Sequence, residues 1–273
     1  MFKEKKQSII NAIRQEENIM NQDIRTEIEK IIKDEVKKIG RPDLFREPMV
    51  GFVSVEDPSI VNVKEIVGPW HRSPEDLLPG ARTIIAYAVP STKEVALNPG
   101  YSKFSGLIWS EAYVLINKKF TDISNIVADY LRSQGYEAAT VTATNDYDQS
   151  NPVSTWSHRT MACAAGLGRF GMNRILMTAK GSAVRYCSLL TTAELTPSGP
   201  YDGPVCLVLD GGDCTICLDA CPVNALTHWF DGGNFDCQDL QDLYHDKMID
   251  ELSVDTAGTC GKCIAACPLS YFG

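Results

Sequence analysis

The sequence predicts an α/β (α+β) domain over residues 1–200 followed by a small cysteine-rich domain over residues 201–273. Three observations carry this expectation. Short apolar runs alternate with helical patterns through the first two hundred residues. Proline and glycine concentrate in Thr196-Pro-Ser-Gly-Pro-Tyr-Asp-Gly-Pro204, a boundary signal. No cysteine precedes Cys163, and eight of the ten lie between Cys206 and Cys267.

The elements follow from local patterns. From Asn21 to Lys38, Ile24, Ile28, Ile31, Ile32, Val36 and Ile39 recur at helical spacing until Gly40 and Pro42 stop them. This reads as an amphipathic helix packed on its own domain, preceded by a charge-rich stretch of twenty residues expected to be mobile. Met49–Val55 and Thr83–Val89 are apolar runs bounded by Pro, Asp and Gly, hence buried strands, with Pro69–Pro74 as a loop between them. A long helix is predicted from about Leu107 to Ser133, ending at Gly135, then a strand from Ala138 to Ala143. Ser157 can cap a helix through Ala165, which Gly166 ends, and Arg174–Thr178 and Val184–Thr192 are further strands.

The 273 residues are 44% hydrophobic and 22% charged, enough to bury a real core. A net charge of -9 and a pI near 5.0 argue against a general nucleic-acid partner, which needs a dominant basic surface. No apolar run approaches the roughly 20 residues that span a bilayer, and the start lacks a signal h-region, so no membrane is expected and the location expected is cytoplasmic. In that reducing compartment, ten cysteines point to metal ligands or redox groups before disulfides.

Cys214-Thr-Ile-Cys217-Leu-Asp-Ala-Cys221-Pro222 is repeated as Cys260-Gly-Lys-Cys263-Ile-Ala-Ala-Cys267-Pro268. Each is C-x2-C-x3-C-P, close to the C-x2-C-x2-C-x3-C-P run of two-cluster ferredoxins, in which the Cys-Pro cysteine ligates the other cluster. Close cysteines wrap one cubane from a tight loop, while the Cys-Pro residue starts a helix toward its neighbour. Two 4Fe-4S clusters need eight thiolates. Cys206 and Cys237 are the remaining nearby candidates. The crossover rule gives cluster one Cys206, Cys214, Cys217 and Cys267, and cluster two Cys221, Cys237, Cys260 and Cys263. Cys206 is the irregular member, since the usual position holds Gly211. Zinc knuckles would share the C-x2-C pairs but leave the third cysteine and its proline, twice, without a reason. Cys163 and Cys187 read as buried small apolar residues.

Gly166-Leu-Gly168-Arg-Phe-Gly171 matches G-x-G-x-x-G, but a helix precedes it and a strand-like run follows, the reverse of a dinucleotide-binding turn. The same stretch, Ser157-His-Arg-Thr-Met-Ala-Cys-Ala-Ala-Gly-Leu-Gly-Arg-Phe-Gly-Met-Asn173, with Gly181-Ser182 and Leu189-Leu-Thr-Thr192, resembles the A-G-L-G-x-x-G-K-N loop and following strands of epoxyqueuosine reductases. Cys237, sixteen residues after Cys221, and Leu77-Leu-Pro-Gly-Ala81 extend the resemblance. It implies the fold of that family and of the related reductive dehalogenases: a nitroreductase-like corrinoid-binding domain, then a ferredoxin-like domain whose two 4Fe-4S clusters feed electrons to a cobalamin. Three features depart from the pattern. The acidic residues of the family's D-T-x-P-x-x-E-R segment fall on Pro152 and His158, leaving only Arg159; the lysine of G-K-N is Met172; and the sequence reaches Gly273 without the helical-repeat tail expected of many of those enzymes.

The resemblance suggests the candidate site residues. A corrinoid reductase needs a positioned acid. His158 occupies an acidic family position and has a side chain that titrates near neutrality, against the alternative of a histidine that packs its helix. Tyr147 is the second candidate, because related dehalogenases use a tyrosine acid; Asp146 and Asp148 beside it read as a solvated turn. Arg159, Gly166, Gly168, Gly171, Asn173, Ser182 and Arg185 are the expected cofactor-binding set. The glycines allow close backbone approach. Arg185 suits a corrinoid amide or an anionic substrate, or a surface ion pair.

The function expected is that of an anaerobic, cobalamin-dependent iron–sulfur oxidoreductase of a small organic substrate, drawing electrons from a donor such as a reduced ferredoxin or flavodoxin. The alternative is an electron-transfer protein or reductive activator serving a partner corrinoid protein. A third reading, epoxyqueuosine reduction on tRNA, is opposed by the three departures.

Overall fold

A computed structural model describes residues 21–100, 105–143, 147–148, 151–228, 231–252 and 259–272. The first twenty residues and Asp146, about which the sequence raised expectations, lie outside the described residues. The elements run α1 (residues 21–38), β1 (Met49–Ser54), α2 (Pro58–Val61), α3 (Val63–Ile66), α4 (Pro74–Leu77), β2 (Thr83–Pro90), α5 (Lys93–Ala96), α6 (Leu107–Ser133), β3 (Ala138–Thr140), β4 (Tyr147–Asp148) and β5 (Asn151–Ser154). They continue with α7 (His158–Ala164), β6 (Gly168–Phe170), β7 (Leu176–Thr178), β8 (Val184–Thr191), α8 (Ile216–Asp219), a 3₁₀ turn (Ala225–Thr227), α9 (Gly233–Leu252) and α10 (Lys262–Ala265).

The main sheet has the order β1-β2-β8-β3 and is antiparallel at every pairing, so the mixed α/β architecture is of the α+β kind. Its centre, β2, is buried at all eight positions because both faces are covered. Ile85, Tyr87 and Val89 point into a core with Ile24, Ile28 and Ile32 of α1 and Ile116 and Phe120 of α6. Ile84, Ala86 and Ala88 point the other way, onto Met161 and Ala162 of α7 and onto Trp156. A strand buried on both faces reads as a continuous apolar run rather than an alternation, as the Thr83–Val89 stretch does.

The short elements were not legible in the sequence. The predicted strand Ala138–Ala143 keeps only three residues as β3, and the predicted strand Arg174–Thr178 keeps only β7, since Arg174 takes a positive φ in the turn joining β6 to β7. The G-x-G-x-x-G segment is half loop and half β6, paired with β7 through Gly168 and Thr178.

Two contacts tie the cysteine-rich segment to the sheet. Before it, Ser198 N donates to the Phe52 carbonyl and Phe52 N to Ser198 Oγ, both at 2.9 Å. After it, Ser182 N and Ala183 N donate to the Ser270 carbonyl at 3.1 Å, and Arg46 donates to the Phe272 carbonyl at 2.5 Å while covering the Tyr271 ring at 4.3 Å. The carboxyl-terminal cysteine motif is thereby anchored on the loop leading into β8.

Candidate functional site

The eight clustered cysteines fall into two niches. Cys206, Cys214, Cys217 and Cys267 line one pocket, with Met172, Asn173, Met177, Leu207 and Ile216 among its walls. Burial raises the Cys217 thiol, and its next influences are the charges of Cys267, Cys206 and Cys214. Cys263 is pushed up to about 12, first by burial and then by Cys260, Cys237 and Cys221; Cys237 is pushed up to about 11 by burial, then Cys260 and Cys221. Cys217 of the first niche also acts on Cys263, so the two niches are neighbours.

The donor chemistry of each niche fits a polynuclear cationic centre. Buried thiols that raise one another's pKa ionise only where positive charge compensates them, which is what cluster iron supplies. Among the described residues, no three His, Cys, Asp or Glu side chains converge tightly enough to hold a single metal ion. Four thiols spread around a pocket, rather than converging on a point, suit a cubane better than a mononuclear site.

Local structure explains how the niches are held. Gly261 has a φ of 76°, and a Cβ there would lie 2.3 Å from the Trp109 ring, so only glycine lets the Cys260–Cys263 loop sit against α6. Trp109 Nε1 in turn donates to Thr259 Oγ1 at 2.9 Å. Asn173 donates to the Cys263 carbonyl at 3.4 Å, and Ser182 N donates to the Leu269 carbonyl at 3.0 Å. Asn173 and Ser182, expected at a corrinoid, therefore hold the cysteine loops.

The glycines divide in the same way. A Cβ on Gly166 would strike the Gly199 carbonyl at 2.1 Å and one on Gly168 the Met177 carbonyl at 2.2 Å. Their close approaches are to the chain's own backbone, which is the tight-turn role. A Cβ on Gly171 would lie 3.4 Å from the Cys206 Cβ, so this glycine flanks the first niche.

His158 begins α7, behind the capping Ser157, and is only 8% exposed. Its Nε2 lies 3.1 Å from the Thr142 carbonyl, which only accepts, so Nε2 carries the proton. Nδ1 then accepts from Ser188 Oγ at 2.8 Å, and Ser188 Oγ accepts from Trp156 Nε1 at 3.0 Å. Burial, the largest influence, lowers its pKa to about 4. A neutral imidazole with both nitrogens engaged inside the chain is a packed histidine, and of the two readings of His158 this geometry supports that one. Behind it, His71 accepts from Ser157 N at 2.9 Å through Nε2, and its Nδ1 donates to the Arg72 carbonyl at 2.7 Å.

Tyr147 stands on β4, paired with Ser154 of β5, and Asp148 pairs with Asn151. Arg159 donates to the Arg174 carbonyl at 2.9 Å. It is exposed, yet burial is the first influence lowering its pKa and Arg185 the second, with Tyr186, Tyr113 and Cys237 opposing them; the region these side chains share is termed the recess. Arg185 projects from β8 toward α6, where its guanidinium covers the Tyr113 ring at 4.2 Å and donates to Asn117 Oδ1 at 3.3 Å. The surface ion pair considered for Arg185 is absent among the described residues. β3 covers β8 only from Leu189 to Thr191, so the edge from Val184 to Ser188, which carries Arg185 and Tyr186, has no strand partner among the described residues. Tyr113 and Asn117 went unnoticed in the sequence. Their signal was two polar positions four apart on the buried side of a long apolar helix.

No family model matches the chain. Tetrachloroethene reductive dehalogenase of Dehalobacter restrictus is 30% identical over 170 residues, 56% of this chain and 28% of that protein. Epoxyqueuosine reductase of Bacillus cereus is 26% identical over 216 residues, 72% of this chain and 50% of that protein. The chain thus spans half or less of the length of these curated relatives. A crystal structure of an epoxyqueuosine reductase, solved with an epoxyqueuosine-modified tRNA-Tyr stem loop, superposes with a TM-score of 0.54 over 92% of this chain and 68% of that one at 20% identity, a likeness of fold. Among the described residues no helix is long and apolar enough to cross a membrane.

Proposed function

We propose that this chain, a relative of reductive dehalogenases and epoxyqueuosine reductases, is a corrinoid-dependent iron–sulfur oxidoreductase of a small organic substrate. In this reading residues 1–200 form a nitroreductase-like domain and residues 201–273 a ferredoxin-like domain. The observation that carries it is the pair of cysteine niches, of which the second borders the recess through Cys237 and Arg159.

Cys206, Cys214, Cys217 and Cys267 would hold one 4Fe-4S cluster, and Cys221, Cys237, Cys260 and Cys263 the other. Arg159 and the open edge of β8 would bound the corrinoid. When bound, these groups supply one-electron relay and a low-valent cobalt reductant. The chain's own residues do the rest. Trp109, Thr259 and Asn173, each no more than 9% exposed, cover one side of the second niche. Arg159 and Arg185 make the recess electropositive, which favours an electron-rich or anionic substrate. Tyr147 is the proposed proton donor, now that His158 is engaged at both nitrogens.

Anaerobic purification with added cobalamin tests the reading: corrinoid should co-elute with the protein through gel filtration alongside about eight irons per chain. Passage of the protein free of corrinoid would favour the second reading, a reductive activator of a partner corrinoid protein. That reading draws support from Leu207, Leu209 and Ile216, which are 43%, 61% and 45% exposed around the first niche and would suit a docked redox partner, whether a ferredoxin, a flavodoxin or a corrinoid protein. Epoxyqueuosine reduction is tested separately, by complementation of a strain lacking the normal enzyme.

A further inference from the structure

Along α6 the buried face is apolar at Trp109, Ala112, Ile116 and Phe120, as an amphipathic helix requires. Ser110, Tyr113 and Asn117, spaced three and then four apart, interrupt it as one line of polar groups. Burying a hydroxyl or a carboxamide without a partner is unfavourable, and here it happens more than once along one helix face. Ser110 Oγ, Asn117 Nδ2 and Arg185 Nε are all buried without a hydrogen-bond partner. Asn117 accepts from Arg185 through Oδ1, which leaves both of its Nδ2 protons as donors. The Tyr113 ring lies flat against the same guanidinium at 4.2 Å and fixes its plane. No carboxylate neutralises Arg185 among the described residues. What these atoms lack in common is an acceptor carrying negative charge.

We infer that Ser110, Tyr113, Asn117 and Arg185 form a binding site for the oxyanion, carboxylate or phosphate, of an organic molecule lying beside the open edge of β8. A planar guanidinium held by an aromatic face and an amide oxygen presents its remaining N–H groups as a rigid fork, the geometry that oxyanions match in two bonds at once. Asn117 Nδ2 and Ser110 Oγ supply further donors. The inference rests on the reading of the recess as a substrate site and names the substrate's class: a molecule with a carboxylate or phosphate group positioned away from the reacting bond.

The test uses the full chain with its clusters reconstituted anaerobically and no corrinoid added. Benzoate, phenyl phosphate and the neutral analogue benzamide are titrated, followed by calorimetry and by the fluorescence of Trp109 and its neighbours. One oxyanion should saturate and benzamide should not; benzoate alone assigns a carboxylate, phenyl phosphate alone a phosphate. Arg185→Lys keeps the charge and loses the fork, and Asn117→Leu removes the amide; each should weaken binding by about tenfold or more. Ser110→Ala, a milder change, should weaken it by a few-fold. Unchanged cluster absorption and melting temperature show that the variants fold. The inference is overturned by no saturation with either anion, by equal binding of benzamide, or by affinities that folded Arg185→Lys and Asn117→Leu leave untouched. Because corrinoid is absent from the titration, its failure and a failure to retain corrinoid are separate results.

Discussion

The two cysteine niches are built from a repeated motif but differ in what surrounds them. The first has Leu207 and Ile216 in its wall, 43% and 45% exposed, and opens outward past them. The second is flanked by Trp109 and Thr259, shares Asn173 with the first, and has Arg159 within electrostatic reach of its Cys237; burial raises Cys237, Cys260 and Cys263 here, as it raises Cys217 and Cys267 in the first. The contrast teaches direction. Under the proposed function, electrons from a partner docked on Leu207 and Ile216 would meet the first niche, and the second would hand them to the recess.

That direction can be broken most severely at the inner niche. Cys263→Ser should abolish turnover and lower iron from about eight per chain to about four, with the outer cluster's reduced-state spectrum intact. Survival of turnover would remove the inner niche from the route. Tyr147→Phe should leave both clusters reducible by dithionite while turnover falls about 10²-fold or more, the scale of a lost general acid; a full rate in this variant would return the proton to another group. Cys206→Ser lies on the open side, where solvent can replace a thiolate, so it should slow electron entry and take iron from about eight toward four or three. Unchanged iron and spectrum would mean that another ligand completes the outer site.

Smaller effects sharpen the packing side of the contrast. Gly261→Ala forces a positive φ on a residue with a side chain and drives its Cβ into Trp109, so it should cost about 3 kcal/mol, read as a lower denaturation midpoint and faster bleaching of the inner cluster. His158→Gln bears on the acid limb of stability. The folded state holds the imidazole pKa at about 4, against about 6.5 when unfolded. Between these values the unfolded chain binds more protons, so stability falls as pH drops from 6.5 toward 4 and is independent of this group above 6.5. The loss reaches about 2 kcal/mol at pH 5. The glutamine variant should flatten that part of the profile, with a residual slope from His71, whose pKa burial also lowers. A profile as steep as the parent's would show that His158 titrates normally.

How much the sequence revealed depended on whether the information was local. Leu107–Ser133 was readable to its last residue because 27 residues of one period accumulate signal, and β2 and β8 were readable because buried runs of eight leave little ambiguity. The hairpins β4–β5 and β6–β7 have two to four residues a strand, too few for any periodicity. The repeated C-x2-C-x3-C-P motif was visible through spacing alone. His158 was not, since its character depends on Ser188, thirty residues away, and on the Thr142 carbonyl. The polar line on α6 was hidden for a related reason: Ser110 and Asn117 are ordinary on a helix surface, and only the placement of β8 makes them buried and unpaired.

The crossing of the two motifs has a consequence for biogenesis. Under the proposed ligand set, the outer niche needs Cys206 and Cys267, the ends of a 62-residue span of chain, and the inner niche needs Cys221 and Cys263. Neither niche gathers its fourth thiol until the ribosome has passed Cys263 and Cys267, and Cys267 is held in place only once Ser182 and Ala183 have received residues 269 and 270. Under the proposed ligand set, cluster insertion would therefore wait until residues 269 and 270 have docked on Ser182 and Ala183. A nascent chain short of that point offers scavenging metals only partial sites.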